Sequence, residues 1–149
     1  MLTKKGGYAY LMVLLIAASV CLAASAMEAV IFSRDAAVLK EKELIFKGME
    51  YKKALKSFYD AGKGKKELPY NLEDLLQDPR YPDKKHIRRL YKEPIANGEW
   101  GLLLDADGRI AGVASKSKKK PMKQKGFPEE LKSLEDANSY DEWVFFYDR

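Results

Sequence analysis

Between Lys5 and Glu28 the chain runs for 22 residues, Gly6 to Met27, without a single charged side chain. Wound as a helix, that stretch spans roughly 33 Å, close to the hydrocarbon thickness of a bilayer. Lys4 and Lys5 precede it, and Leu11 to Leu22 carries Leu, Met, Val and Ile with only Ala, Ser and Cys between them. Three roles compete for such a segment: a cleaved signal peptide, a membrane anchor, or one segment that does both. Ala24-Ser25-Ala26 offers a small-residue cleavage site, but the apolar run exceeds the 7–15 residues of an ordinary signal core.

The residues beyond this run favour a helix that does not stop at Met27. No proline occurs before Pro69, and Gly48 stands alone between Gly7 and Gly62. Leu44, Gly48, Tyr51, Leu55 and Phe58 recur at spacings of 4, 3, 4 and 3, a stripe along one helix face. Ile31, Val38, Ile45 and Met49 widen that apolar side. Arg34, Asp35, Lys40, Glu41, Lys42, Glu43, Lys47, Glu50, Lys52 and Lys53 take the polar positions, with Glu43 and Lys47 spaced for an i,i+4 pair. The spacing predicts one helix from Tyr8 to near Asp60. Its first half (8–27) suits lipid, and its second (28–60) suits a soluble domain. Flanking lysines resist translocation, so the expected topology is a single pass, with the N-terminus cytoplasmic and the remainder on the far side.

After Asp60 the chain turns irregular. "DAGKGKKELPY" reads as a loop, and Asn71–Gln77 as a short helix with Asn71 as N-cap and Glu73 and Asp74 in its first turn. Pro79 and Pro82 interrupt the chain, and 83–91 reads as a second short helix. Trp100, Leu102 and Leu104 alternate before "DADG", where Gly108 suits a hairpin turn. Residues 110–115 return as a second strand and 142–147 form a third, with Trp143, Phe145 and Tyr147 on one face and Val144 and Phe146 on the other. The expected fold class is α+β: a long N-terminal helix packed on a small three-stranded antiparallel sheet, with residues 61–149 as a globular head.

Few residues suggest chemistry. The single cysteine, Cys21, lies in the apolar run behind Val20, which disfavours lipid attachment and leaves the rest of the chain without a disulfide framework. His86 is the one histidine, and neither a nucleophile nor metal ligands are spaced to join it, so a packing or exposed role is expected. Asp105 and Asp107 suit a turn better than a calcium loop. With 27 basic against 22 acidic residues the excess is mild, and no arginine stripe with interleaved aromatics points to nucleic acid. Lys116, Lys118, Lys119, Lys120, Lys123 and Lys125 crowd "SKSKKKPMKQK", which reads as a mobile solvated loop or as an electrostatic contact with an acidic neighbour or an anionic membrane. No carboxylate pair, phosphate loop or triad supports an enzyme.

A basic leader ending in glycine, then an aromatic residue and about twenty apolar residues running into an amphipathic helix, resembles the prepilin signature of type IV pilins and type II secretion pseudopilins. "LPYNLEDLLQDPRYP", "HIRRLYKEP", "GEWGLLLDADGRIAGVASKSKKKPMK" and "YDEWVFFY" resemble a set found in type II secretion-like proteins of Gram-negative bacteria. The resemblance implies a leader (1–7) cut by a prepilin peptidase between Gly7 and Tyr8, and methylation of Tyr8. It implies a pilin-like head on the periplasmic side of the bacterial inner membrane. The implied partners are other pilin or pseudopilin subunits and an inner-membrane assembly platform, joined in a periplasmic or extracellular filament. No cofactor is implied beyond calcium held by a C-terminal loop as in major pseudopilins, for which Asp136, Asn138 and Asp141 are the first ligands to test. The chain departs from the family at the fifth mature position, where Met12 replaces the usual glutamate. The alternative is a secreted or periplasmic binding module whose signal peptide ends near Ala26.

Overall fold

The computed structural model describes residues 5–96 and 98–147, and divides the chain into two compact units, Met1–Val38 and Leu39–Arg149. Helix α1 covers Lys5–Asp60 and is helical throughout, including the small-residue stretch at Ala24–Ala26. With no proline in these 56 residues, nothing removes an i→i−4 hydrogen bond.

In the first unit the apolar side chains are open: Tyr8, Leu11, Ile16, Val20, Leu22 and Met27 are all exposed. The few hydroxyls here turn back on the helix, Ser19 to the Ile16 carbonyl at 2.8 Å, Ser25 to Cys21 at 3.0 Å and Ser33 to Val30 at 2.8 Å. Each therefore has a partner that does not depend on water. By length and composition this helix can cross a bilayer. Ile31, expected to extend the core-facing side, is exposed because no other element of its unit packs on it.

In the second unit the stripe of α1 is the floor of the core. Leu44, Gly48, Tyr51, Leu55 and Phe58 are buried, together with Ala54 between them. Trp100, Ile110, Val113, Phe127, Leu134, Trp143 and Phe145 close over them, and burying each aliphatic side chain of this size contributes about 1.5–3 kcal/mol. Strands β1 (Gly101–Leu104), β2 (Ile110–Ala114) and β3 (Val144–Phe146) form one antiparallel sheet in the order β1-β2-β3. Val113 pairs with Leu102 on one side and Phe145 on the other. The β1–β2 connection turns at Gly108, whose φ of 74° is the left-handed conformation that the sequence led us to expect. Asp105 holds this turn, its carboxylate accepting the N–H groups of Asp107 and Arg109, both at 2.9 Å.

Several elements differ from expectation. Residues 83–91 are not helical: the N–H groups of His86 and Ile87 both reach across to the Leu75 carbonyl, at 2.9 and 3.1 Å, instead of to the preceding turn. Residues 71–77 shrink to a 3₁₀ turn at Leu72–Leu75, with Asn71 extended as its cap and Asp74 accepting the N–H groups of Tyr70 and Asn71. A further 3₁₀ turn lies at Glu129–Leu134, and another at Tyr140–Glu142 takes up the start of the expected third strand, which spans only Val144–Phe146. Leu102 and Leu104 face outward on the edge strand, while Trp100, just before it, is buried edge-on against Tyr51.

Gly48 is required by contact rather than by dihedral angle. A Cβ built there would lie 2.4 Å from the Phe145 ring, itself buried. Gly48→Ala is therefore expected to destabilise the second unit by about 1–3 kcal/mol, although alanine is the better helix former. Gly64→Ala, where a Cβ meets nothing within 4 Å, serves as the neutral control in urea unfolding of the detergent-solubilised chain.

Candidate functional site

The expected processing position lies in the first turns of α1. Gly7 has open space where a side chain would stand, and Tyr8 and Met12 are exposed. Residues 1–4 of the expected leader lie outside the described residues, as do the last two residues of the expected head. Met12 presents a thioether, and no carboxylate stands among Tyr8–Met27.

Glu41 corrects the placement of charged residues along α1. Expected on the solvated side, it is buried. Its carboxylate accepts the Met122 N–H at 2.8 Å, the Lys123 N–H at 3.2 Å and the Tyr140 hydroxyl at 2.8 Å. Burial and the adjoining carboxylate push the Tyr140 phenol well above its ordinary range, which keeps it a donor at all physiological pH. Glu93 is buried likewise, accepting from the Ser115 hydroxyl at 2.7 Å and the Ala96 N–H. A buried carboxylate survives only when such donors replace its water.

Glu93 holds the Ser115 side chain just before the lysine run and Glu41 holds the backbone near its far end, so the run is not the mobile loop that its composition suggests. Between them the Ser117 and Lys119 carbonyls accept the Asp141 and Tyr140 N–H groups, at 3.1 and 3.0 Å. The six lysines stay exposed. Lys118 pairs with Asp141, Lys116 with Glu99 at 3.5 Å and Lys125 with Asp136 at 3.9 Å, while the Lys123 ammonium sits 4.5 Å from the Phe127 ring centroid. Of the residues proposed as calcium ligands, Asp136 and Asp141 are thus paired with lysines. Asp141 also accepts from Ser139, and the Asn138 N–H donates to Glu142 at 2.9 Å. Among the described residues no group of three or more His, Cys, Asp or Glu side chains is placed to hold a metal ion.

A third buried acid assembles a cluster that sequence spacing did not reveal. Asp78 is fully buried and accepts from Arg80 Nε at 3.0 Å and Nη2 at 2.8 Å, and from His86 Nε2 at 3.1 Å. Burial raises its pKa, but the bonds from Arg80 and His86 outweigh this and bring it down to about 2. Burial lowers the His86 pKa against the opposing pull of Asp78, so the ring is neutral at pH 7. With Asp78 ionised, Nε2–H donates to it, and Nδ1 accepts from Ser57 Oγ at 2.8 Å. Fold, not spacing, thus lines up serine, histidine and aspartate. Ser57 sits in the last turn of α1, where free carbonyls rather than N–H groups face outward, so no helix donors converge on a developing oxyanion. What the cluster does is fasten residues 78–86 to the helix end, since Arg80 Nη2 also donates to the Phe58 carbonyl at 2.7 Å.

A hollow of about 310 Å³ lined by Tyr51, Tyr70, Tyr91, Trp100 and Leu102 has Glu73, Lys92 and Glu99 as its charged groups, which form no nucleophile–base pair. Comparisons with protein-family models, with curated proteins and with solved structures found no match to this chain.

Two measurements test these anchors. Glu41→Ala strands the Tyr140 hydroxyl and two N–H groups, and is expected to cost about 2–4 kcal/mol in urea unfolding, against about 1 kcal/mol for Tyr140→Phe, which removes one partner only. Asp78 and His86 both hold fewer protons folded than unfolded, so stability falls with acid. The His86 contribution is complete above about pH 6.5 and declines below it, and the Asp78 contribution declines from about pH 4 towards 2. Asp78→Asn should flatten the lower limb of the unfolding-against-pH curve and leave acid loss from other carboxylates.

Proposed function

We propose that this chain is a pilin-like subunit, a pseudopilin or minor pilin of a type II secretion or type IV pilus-type machine. In this reading it sits in the bacterial inner membrane with a periplasmic head, is cut between Gly7 and Tyr8 and methylated there, and joins a filament with other such subunits. The observation that carries it is the helical continuity of α1, from an open apolar stretch of bilayer length into the stripe on which the head's core is built. The basic residues before Gly7 and the small antiparallel sheet support it further.

Met12 narrows the role. An ammonium buried in a filament core costs several kcal/mol unless a carboxylate faces it, and this subunit has none to offer. It therefore belongs at a filament end or at low copy number, not as the repeating major subunit.

Intact-mass measurement of the protein from cells with and without an active prepilin peptidase tests the reading. The expected product begins at methylated Tyr8 only when the peptidase is present. Gly7→Val should leave the leader attached, whereas Gly6→Ala should not. A product beginning at Met27 would instead mean a removed signal peptide and a released periplasmic module.

A further inference from the structure

The lysine loop 116–125 carries six lysines in ten residues, all of them exposed. Its backbone is held by Glu41 at Met122 and Lys123 and by the Tyr140 and Asp141 N–H groups at Lys119 and Ser117, so its lysines are presented from a preformed surface with little ordering left to do on binding. Lys119 and Lys120 are exposed and have no acidic partner among the described residues. Glu99 and Asp136, which pair with Lys116 and Lys125, are themselves largely in solvent, and such long pairs give way readily to a stronger anion. In the middle of these cations Met122 is 45% exposed, while Pro121 beside it is buried. Cations around a protruding apolar side chain match a phospholipid surface, where phosphates meet the ammoniums and the thioether enters the headgroup layer. An acidic protein face would leave the methionine unmatched.

Chain connectivity supplies the second argument. The loop is clamped to α1 at Glu41, 14 residues beyond Met27. Along α1 those 14 residues rise about 21 Å, so a bilayer holding Tyr8–Met27 lies within about that distance of the clamp. Such a tether makes a weak surface contact effective, because the bilayer is always present at high local concentration.

We propose that loop 116–125 is a membrane-docking surface, with its lysines on the phosphates of anionic phospholipid and Met122 among the headgroups of the bilayer that anchors the chain. This rests on the anchoring of Tyr8–Met27 in lipid, and is independent of filament assembly.

The test is lysine acylation footprinting of the full chain in nanodiscs, of phosphatidylcholine alone or with added phosphatidylglycerol, read by mass spectrometry. Labelling of Lys119, Lys120 and Lys123 is expected to fall severalfold in the anionic discs and to recover at high salt, as the Debye length shrinks from about 8–10 Å. Lys65, 86% exposed on a different loop, should label equally in both. In Lys119→Glu/Lys120→Glu, both on the surface, the remaining loop lysines should label alike in the two discs. Equal labelling of the unaltered loop in both discs would overturn docking while leaving the anchor intact. Protection that follows protein concentration instead of lipid charge would overturn it in favour of an acidic protein partner. Failure of the chain to stay in either disc would overturn the anchor, and docking with it.

Discussion

A stretch of 22 residues without a charge can satisfy its backbone in lipid only by bonding each N–H to a carbonyl of the same segment, and an α-helix is the single-segment solution. The rest of this molecule depends on extending that solution beyond the lipid-length stretch. Without proline up to Asp60, and with one interior glycine past Gly7, α1 has no reason to end where the charges begin. A helix continued into water needs packing on one face, because propensity alone gives little stability. The stripe from Leu44 to Phe58 provides that face, and the three short strands, too small to stand alone, gain a floor from it.

The two ends of this helix–sheet contact are fastened by buried acids. Glu41 and Glu93 bind the chain around the lysine run, and Asp78 with Arg80 and His86 binds the loop at the end of α1. Each carboxylate is matched to named donors, which converts a costly desolvation into a specific crosslink. The arrangement uses charge where a short core cannot supply enough apolar surface to hold long irregular segments. It also explains how a run of six lysines stays ordered: its backbone is held from inside while its ammoniums remain in solvent.

The features legible in the sequence are those that depend on neighbours in the chain. The helical stripe, the Asp105–Gly108 turn and the alternation of Trp143, Phe145 and Phe146 are local patterns, and the structure follows them. Glu41 was illegible because it sits among Lys40, Lys42 and Glu43, where local pattern reads solvent. Its partners lie 81, 82 and 99 positions away. Ser57 and His86 are 29 residues apart and meet only because His86 and Ile87 bond across to Leu75. The same cross-bonding removed the short helix that 83–91 would otherwise form.

The placement of ionisable groups obeys one rule on both sides of residue 28. Among the described residues of the second unit three carboxylates are buried, each beside donors that no apolar solvent could provide. Between Tyr8 and Met27, where the helix spends its own donors on itself, there is no carboxylate at all. Met12 fits this rule: a glutamate there would depend on a cation from another molecule, and a methionine depends on none. Its polarizable, unbranched side chain packs against lipid or against a neighbouring helix with equal ease. A helix without such a carboxylate needs no partner cation in an apolar medium.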